Sequence, residues 1–190
     1  MKKENMSEVV GNAAIPWQSF EEWHQVFLSI KRIDKLHKNR LGKVYGAAIR
    51  IKQKFEVLSE PMEKLCSQTC IYCEDICCVR ATIWYDLKDL LYIYFGLNTF
   101  PKSQIIKKTK RNQEKACCHF SEKGCRLSRL ERPFVCTWYI CSVQKKYETR
   151  HHQKINQNFD QTLLEIKNLR NKMEDEFIRI SLDVNLFTAK

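Results

Sequence analysis

The chain has 190 residues, 33 Lys/Arg against 22 Asp/Glu for a formal net charge of +11, 44% hydrophobic residues, and only 5 Gly and 4 Pro. That length can bury a sizeable core as a single domain, 1–190, and the scarcity of Gly and Pro excludes a low-complexity or linker-rich chain. The longest apolar run, Leu90 to Leu97, contains two tyrosines and is far shorter than a membrane span, so no membrane partner is expected.

In chain order, Met1-Lys2-Lys3-Glu4-Asn5 leads into polar residues with no apolar run of signal-peptide length, which points to a cytoplasmic location. Residues 16–60 read as an N-terminal helical region of two amphipathic helices. Trp17, Phe20, Trp23, Phe27, Ile30 and Ile33 recur every three or four residues, and Leu41, Val44, Tyr45, Ala48, Ile51, Phe55 and Leu58 repeat the pattern. Pro16 suits the start of the first helix, Asn39 to Gly42 a break, and Glu60-Pro61 the end of the second.

Residues 66–141 hold all ten cysteines. Cys66, Cys70, Cys73, Cys77 and Cys78 form one cluster; Cys117, Cys118, Cys125, Cys136 and Cys141 form the other. An even count in a small chain is compatible with disulfides, but a reducing cytoplasm disfavours them, and spacings of two and three residues suit several sulfurs converging on one metal or cluster. Cys77 and Cys78, being adjacent, are expected to have difficulty serving one tetrahedral ion together and to serve two metals, or one cluster and a structural role. Sulfur donors favour zinc or iron over magnesium or calcium, and seven to ten thiolates allow two four-thiolate zinc sites or an iron-sulfur cluster.

Between the clusters, Tyr85 to Gly96 reads as a buried helix stopped by Gly96, with Asp86 and Asp89 as first-turn charges favourable to the helix dipole. Residues 101–154 carry 14 Lys/Arg against 4 Asp/Glu, which places +10 of the net +11 there. Lys107, Lys108, Lys110, Arg111 and Lys115 form one run, and Lys145, Lys146, Arg150, His151 and His152 another. Such runs fit contacts to nucleic acid or an acidic protein partner, and equally the local offset of anionic thiolate sites. Trp138 and Tyr139 are expected to pack over the site, His119 to ligate or to hydrogen-bond beside it, and the His151-His152 pair to be exposed. His24 and His37 have no expected chemistry. Residues 153–183 read as a C-terminal helix. Phe159, Leu163, Ile166, Leu169, Met173, Phe177 and Ile180 form its core-facing stripe, and Glu165, Lys167, Arg170, Lys172, Glu174 and Asp175 are interleaved charges.

The order Cys70-x2-Cys73-x3-Cys77-Cys78, then Cys118-His119-Phe120, Gly124-Cys125, Arg132-Pro133 and Cys136 resembles the YkgJ-type family of zinc- or iron-chelating domains over residues 66–141. The resemblance implies a metal ion held by Cys70, Cys73, Cys77, Cys78, Cys118, Cys125 and Cys136. Cys66, Cys117 and Cys141 are extra to the pattern, and are further ligands, spares or reactive thiols. Thr137 stands where an arginine is common in the family. Arg132 is the expected residue donating to thiolates or carbonyls around the site, with Pro133 setting the turn before Cys136.

Cys66-x3-Cys70-x2-Cys73 also has the spacing of a radical S-adenosylmethionine motif, without the alternating strands and helices of the barrel that should carry it. Some lysine N-methylases carry a related cysteine-rich segment, so an iron-sulfur enzyme of that type is a further alternative. No phosphate-cradling glycine loop, nucleophile elbow or His-Glu-x-x-His helix is present. The expectation is a mainly α domain that binds metal through cysteine-rich loops.

Overall fold

The computed structural model describes residues 16–17, 19–74, 76–80, 83–102, 104, 117–121, 124–151 and 158–188. Helix α1 spans Phe20–His37 and begins in a capping box, in which the Ser19 hydroxyl accepts from Glu22 N while the Glu22 carboxylate accepts from Ser19 N. A 3-10 turn, Lys38–Arg40, joins it to α2, Gly42–Thr69. Helix α2 does not stop at Pro61. The proline lies inside it, and the helix runs on for two more turns because Met62, Leu65 and Thr69 keep the buried stripe in register with Leu58. That extension carries Cys66 onto the end of a helix rather than into a loop.

After a 3-10 turn at Cys70–Tyr72, the one-turn helix α3 covers Cys77–Arg80 and helix α4 covers Leu87–Leu97. Asp86 caps α4, its carboxylate accepting from Asp89 N while the Asp89 carboxylate accepts from Asp86 N. The stop differs from expectation. Gly96 is helical, and the chain leaves the helix at Asn98, whose φ of 53° is the left-handed conformation that asparagine tolerates. Gly96 instead lets α4 approach α2, since a Cβ there would meet the Ala48 carbonyl oxygen at 3.1 Å.

The second cysteine region holds the short hairpin β1 (Phe120–Ser121) and β2 (Gly124–Cys125), a 3-10 turn at Arg129–Glu131, and the one-turn helix α5, Val135–Trp138. Helices α6, Ser142–His151, and α7, Phe159–Thr188, complete the described chain. The fold is mainly α, with α2, α4 and α7 packed together around Ile51, Phe55, Leu58, Leu90, Tyr92, Ile93, Ile166, Met173 and Ile180. Among the described residues no helix is long and apolar enough to cross a membrane.

The stripe of α7 faces the core as expected, except at one position. Arg170 sits in the stripe's register between Ile166 and Met173, and its side chain is 2% exposed. Its guanidinium donates to Asp89 at 2.6 Å and to both oxygens of Asp86 at 2.8 and 2.9 Å, and it lies over the Phe134 ring. The two α4 carboxylates are therefore partners of a buried cation and not only dipole charges. Asp89 also accepts from Phe134 N at 3.0 Å, which fixes the start of the segment leading to Cys136.

Candidate functional site

The first cysteine cluster begins on the last turn of α2 and continues through the 3-10 turn to α3, placing Cys66, Cys70, Cys77 and Cys78 along one end of the helical core. The second cluster is brought to it by a backbone hydrogen bond from Cys117 N to Cys78 O of 2.8 Å. All ten thiols are free and half-buried. Three neighbouring pairs, Cys66 with Cys70, Cys77 with Cys78 and Cys117 with Cys118, are electrostatically coupled.

This coupling sets the charges. The hydrogen bond from Cys70 lowers the Cys66 thiol to about 6, aided by Arg129 and opposed by burial, while Cys70 is pushed up by the bond it donates and by burial. In the same way Cys78 lowers Cys77 to about 7, and Cys118 lowers Cys117 to about 6. Burial pushes Cys136 up, and the charge of Cys117 adds to that. Binding a metal would release whatever protons these thiols hold.

Arg129, which sequence reasoning passed over in favour of Arg132, is the cation that reaches a sulfur. Its side chain is 3% exposed, and it donates to Cys66 Sγ at 3.2 Å, to the Cys136 carbonyl at 2.9 Å and to Glu63 Oε1 at 2.9 Å. Arg132 donates to the Leu127 carbonyl and pairs with the same Glu63 oxygen at 2.9 Å. One buried guanidinium therefore ties α2, the first cysteine cluster and the second. Its place one helical turn before Arg132 was the only available sequence signal.

Gln144 is the other unpredicted contributor. Cys141 caps α6: its Sγ accepts from Gln144 N at 3.5 Å, and its own N–H donates to Gln144 Oε1 at 3.1 Å. This reciprocal arrangement is a capping box with sulfur in place of the hydroxyl. It orients the buried amide so that Nε2 points at Cys66 Sγ (3.6 Å) and Cys70 Sγ (3.7 Å).

His119 lies edge-on to Tyr85, and its Nε2 is buried with no hydrogen-bond partner among the described residues. Burial, and then the charge of Arg126, lowers its pKa and keeps the ring neutral, as a metal ligand requires. Trp138 is 42% exposed and packs edge-on against Tyr139. It does not close the site from water as expected. Lys145, Lys146, Arg150 and His151 are exposed on α6, with His151 against the Tyr147 ring. The run Lys107 to Lys115, and His152, lie outside the described residues.

The donor set fits a soft metal in its chemistry: thiols with several lowered pKa values, a neutral imidazole nitrogen without a partner, and a buried cation to offset excess negative charge. As they stand, no three or more His, Cys, Asp or Glu side chains among the described residues converge closely enough to hold an ion. No protein-family model matches this chain, and neither the curated proteins nor the solved structures include a match to it.

Proposed function

We propose that this chain is a metal-binding protein whose two cysteine clusters together hold zinc or an iron-sulfur cluster, as the resemblance to zinc- or iron-chelating domains implies. The observation that carries the reading is the meeting of the clusters. Residues some forty positions apart are joined by the Cys117 N to Cys78 O bond, and Arg129 binds Cys66 Sγ and the Cys136 carbonyl at once. A hydrophobic core has no need to bring two cysteine clusters against one another. Metal coordination does, because the binding free energy becomes folding free energy. Arg129 serves there as the counter-charge, since four thiolates around one divalent ion carry a net charge of minus two.

The test is elemental analysis with an absorption spectrum on protein purified without oxygen and without a metal-binding tag. Stoichiometric iron with broad visible thiolate-to-iron absorption assigns an iron-sulfur centre and favours a redox or methylase-type enzyme. Colourless protein with stoichiometric zinc assigns a structural site. Protein that carries neither metal, and takes up neither on reconstitution, sinks the reading.

A second reading, an interaction module for nucleic acid or an acidic protein, is favoured by the exposed Lys145, Lys146 and Arg150 on α6, the helix capped by Cys141. It predicts salt-dependent binding of an unspecific duplex that weakens when these three are neutralised.

A further inference from the structure

We propose that the cleft between α2 and α7 binds a small phosphate monoester that also carries hydroxyl groups, the chemistry shared by sugar phosphates and nucleotides. Arg50 and Lys172 take the phosphate and Asp175 the hydroxyls. The proposal is independent of the metal-binding reading, since none of the ten cysteines lines this cleft.

The cleft has a volume of about 630 Å³, within the roughly 300–1,000 Å³ of small-molecule sites. Its walls are one face of each helix. Gly46, Ala47 and Arg50 lie at turn spacing on α2, as do Lys172, Asp175 and Glu176 on α7. The cross-helix ion pairs Arg40–Asp183 and Lys54–Glu165 bracket this stretch, and they require the two helices to run antiparallel. In that register Arg50 stands across from Lys172, and Gly46 across from Asp175 and Glu176.

Two observations carry the proposal, and the first is charge without a partner. On either side of the cleft the cross-helix cations are paired with carboxylates. At one end of it Arg179 donates to Glu176 at 2.8 and 3.0 Å and to Asp183 at 3.4 Å. Arg50 and Lys172 are exposed, line the same cleft, and form no ion pair or hydrogen bond among the described residues. Two cations so placed repel. An anion between them replaces that repulsion with charge-assisted hydrogen bonds, and the guanidinium fork matches two phosphate oxygens. Asp175, one turn beyond Lys172 and likewise without a partner among the described residues, is an acceptor for hydroxyl donors.

The second observation is Gly46. It lies inside α2, where glycine is a poorer choice than alanine because it has more backbone freedom to lose. The fold does not require it: its φ is not positive, and a Cβ added there meets nothing within 4 Å. Gly96 differs, because its Cβ would strike the backbone of α2. The missing side chain of Gly46 keeps the cleft open down to the helix backbone, where a ligand can lie against it.

The experiment is isothermal titration calorimetry of the full chain at low ionic strength with ribose phosphate, adenosine monophosphate, ribose and inorganic phosphate. The expected result is one ribose phosphate or adenosine monophosphate per chain, bound more tightly than inorganic phosphate or ribose. Which of the first two binds more tightly tells a sugar-phosphate site from a nucleotide site. Arg50→Gln and Lys172→Gln are each expected to weaken binding by about 10–100-fold, the loss of a hydrogen bond to a charged group. Both side chains are exposed and unpaired, so the fold does not depend on them. Lys145→Gln/Lys146→Gln on α6 should leave the affinity unchanged. No saturable binding overturns the proposal, and so does an equal loss in the α6 variant, which reports charge attraction alone. Inorganic phosphate bound as tightly as ribose phosphate overturns the role of Asp175.

Gly46→Ala separates the site from the fold. Alanine is expected to raise the thermal melting temperature, since it favours the helix and meets no neighbour, and yet to weaken ribose phosphate binding several-fold because its methyl group enters the cleft. A stabilised variant with undiminished affinity overturns the role of the glycine.

Discussion

Replacing Arg170 by Met probes the contact that joins the helical core to the second cysteine cluster. The substitution conserves much of the volume but leaves Asp89, whose side chain is 5% exposed, without the guanidinium that faces it at 2.6 Å. Removing one member of a buried ion pair costs about 3–5 kcal/mol, because the remaining charge stays desolvated. Two features of the structure place the loss near the lower bound. Asp89 keeps two backbone donors, Phe134 N and Asp86 N, and Asp86, half exposed, recovers water as its partner. A loss of about 3 kcal/mol at pH 7 is expected in urea unfolding followed by circular dichroism.

The pH dependence gives the sharper check. Burial pushes Asp89 from 3.8 up to about 6 even with Arg170 beside it, and removing Arg170 raises it further. A carboxyl whose folded pKa lies above its unfolded value stabilises the fold fully below the unfolded value and loses that contribution as pH rises through the folded one. The penalty of Arg170→Met is therefore expected to shrink between pH 7 and pH 5, and Asp89→Asn in the same background to relieve part of it at pH 7. A loss under about 1 kcal/mol, or one that grows on acidification, would refute the assignment of the pair as a buried ionic contact.

Two further outcomes follow from local geometry. Alkylation of Cys66 in the metal-free, reduced protein, followed by peptide mass spectrometry, is expected to show a midpoint near pH 6. The Cys70 hydrogen bond, followed by Arg129, holds that thiol below its ordinary 9.0, and Arg129→Met should move the midpoint upward. Because this folded pKa is depressed, the thiolate's stabilisation is present above the unfolded value and lost as pH falls through about 6, so a midpoint near 9 contradicts the contact. Gly96→Ala gains about 1 kcal/mol of helix propensity, yet its Cβ meets the Ala48 carbonyl oxygen of α2 at 3.1 Å, a backbone atom that cannot yield, and the ring of Tyr92 one turn earlier in α4 at 3.3 Å. A net loss of about 1 kcal/mol by thermal melting is expected, and a rise in stability would show that the α2–α4 approach is looser than described.

The cysteine clusters, the helical class, the faces of α2 and α7 and, apart from the exposed Phe20, the face of α1 were legible from residue spacing alone, because apolar periodicity is imposed by burial of one helix face. Boundaries were less so. Pro61 read as a stop, but the buried stripe through Met62, Leu65 and Thr69 outweighs the one backbone hydrogen bond that a proline forgoes. Gly96 also read as a stop, while the turn is made by Asn98 and the glycine serves a close helix contact.

Residue types and local spacing alone determined that this is a mainly helical chain with ten thiols gathered in two segments, since both follow from composition and periodicity. Tertiary structure decided which groups serve those thiols. Arg170 carried its warning in the sequence, a charge standing in a core register, but its partners on α4 are some eighty residues away. Arg129 and Gln144 resemble any surface arginine and glutamine until α2, the 3-10 turn and α6 bring them to Cys66. Hydrogen bonds between residues 63 and 78 positions apart depend on how helices pack, and no local pattern in the chain encodes them.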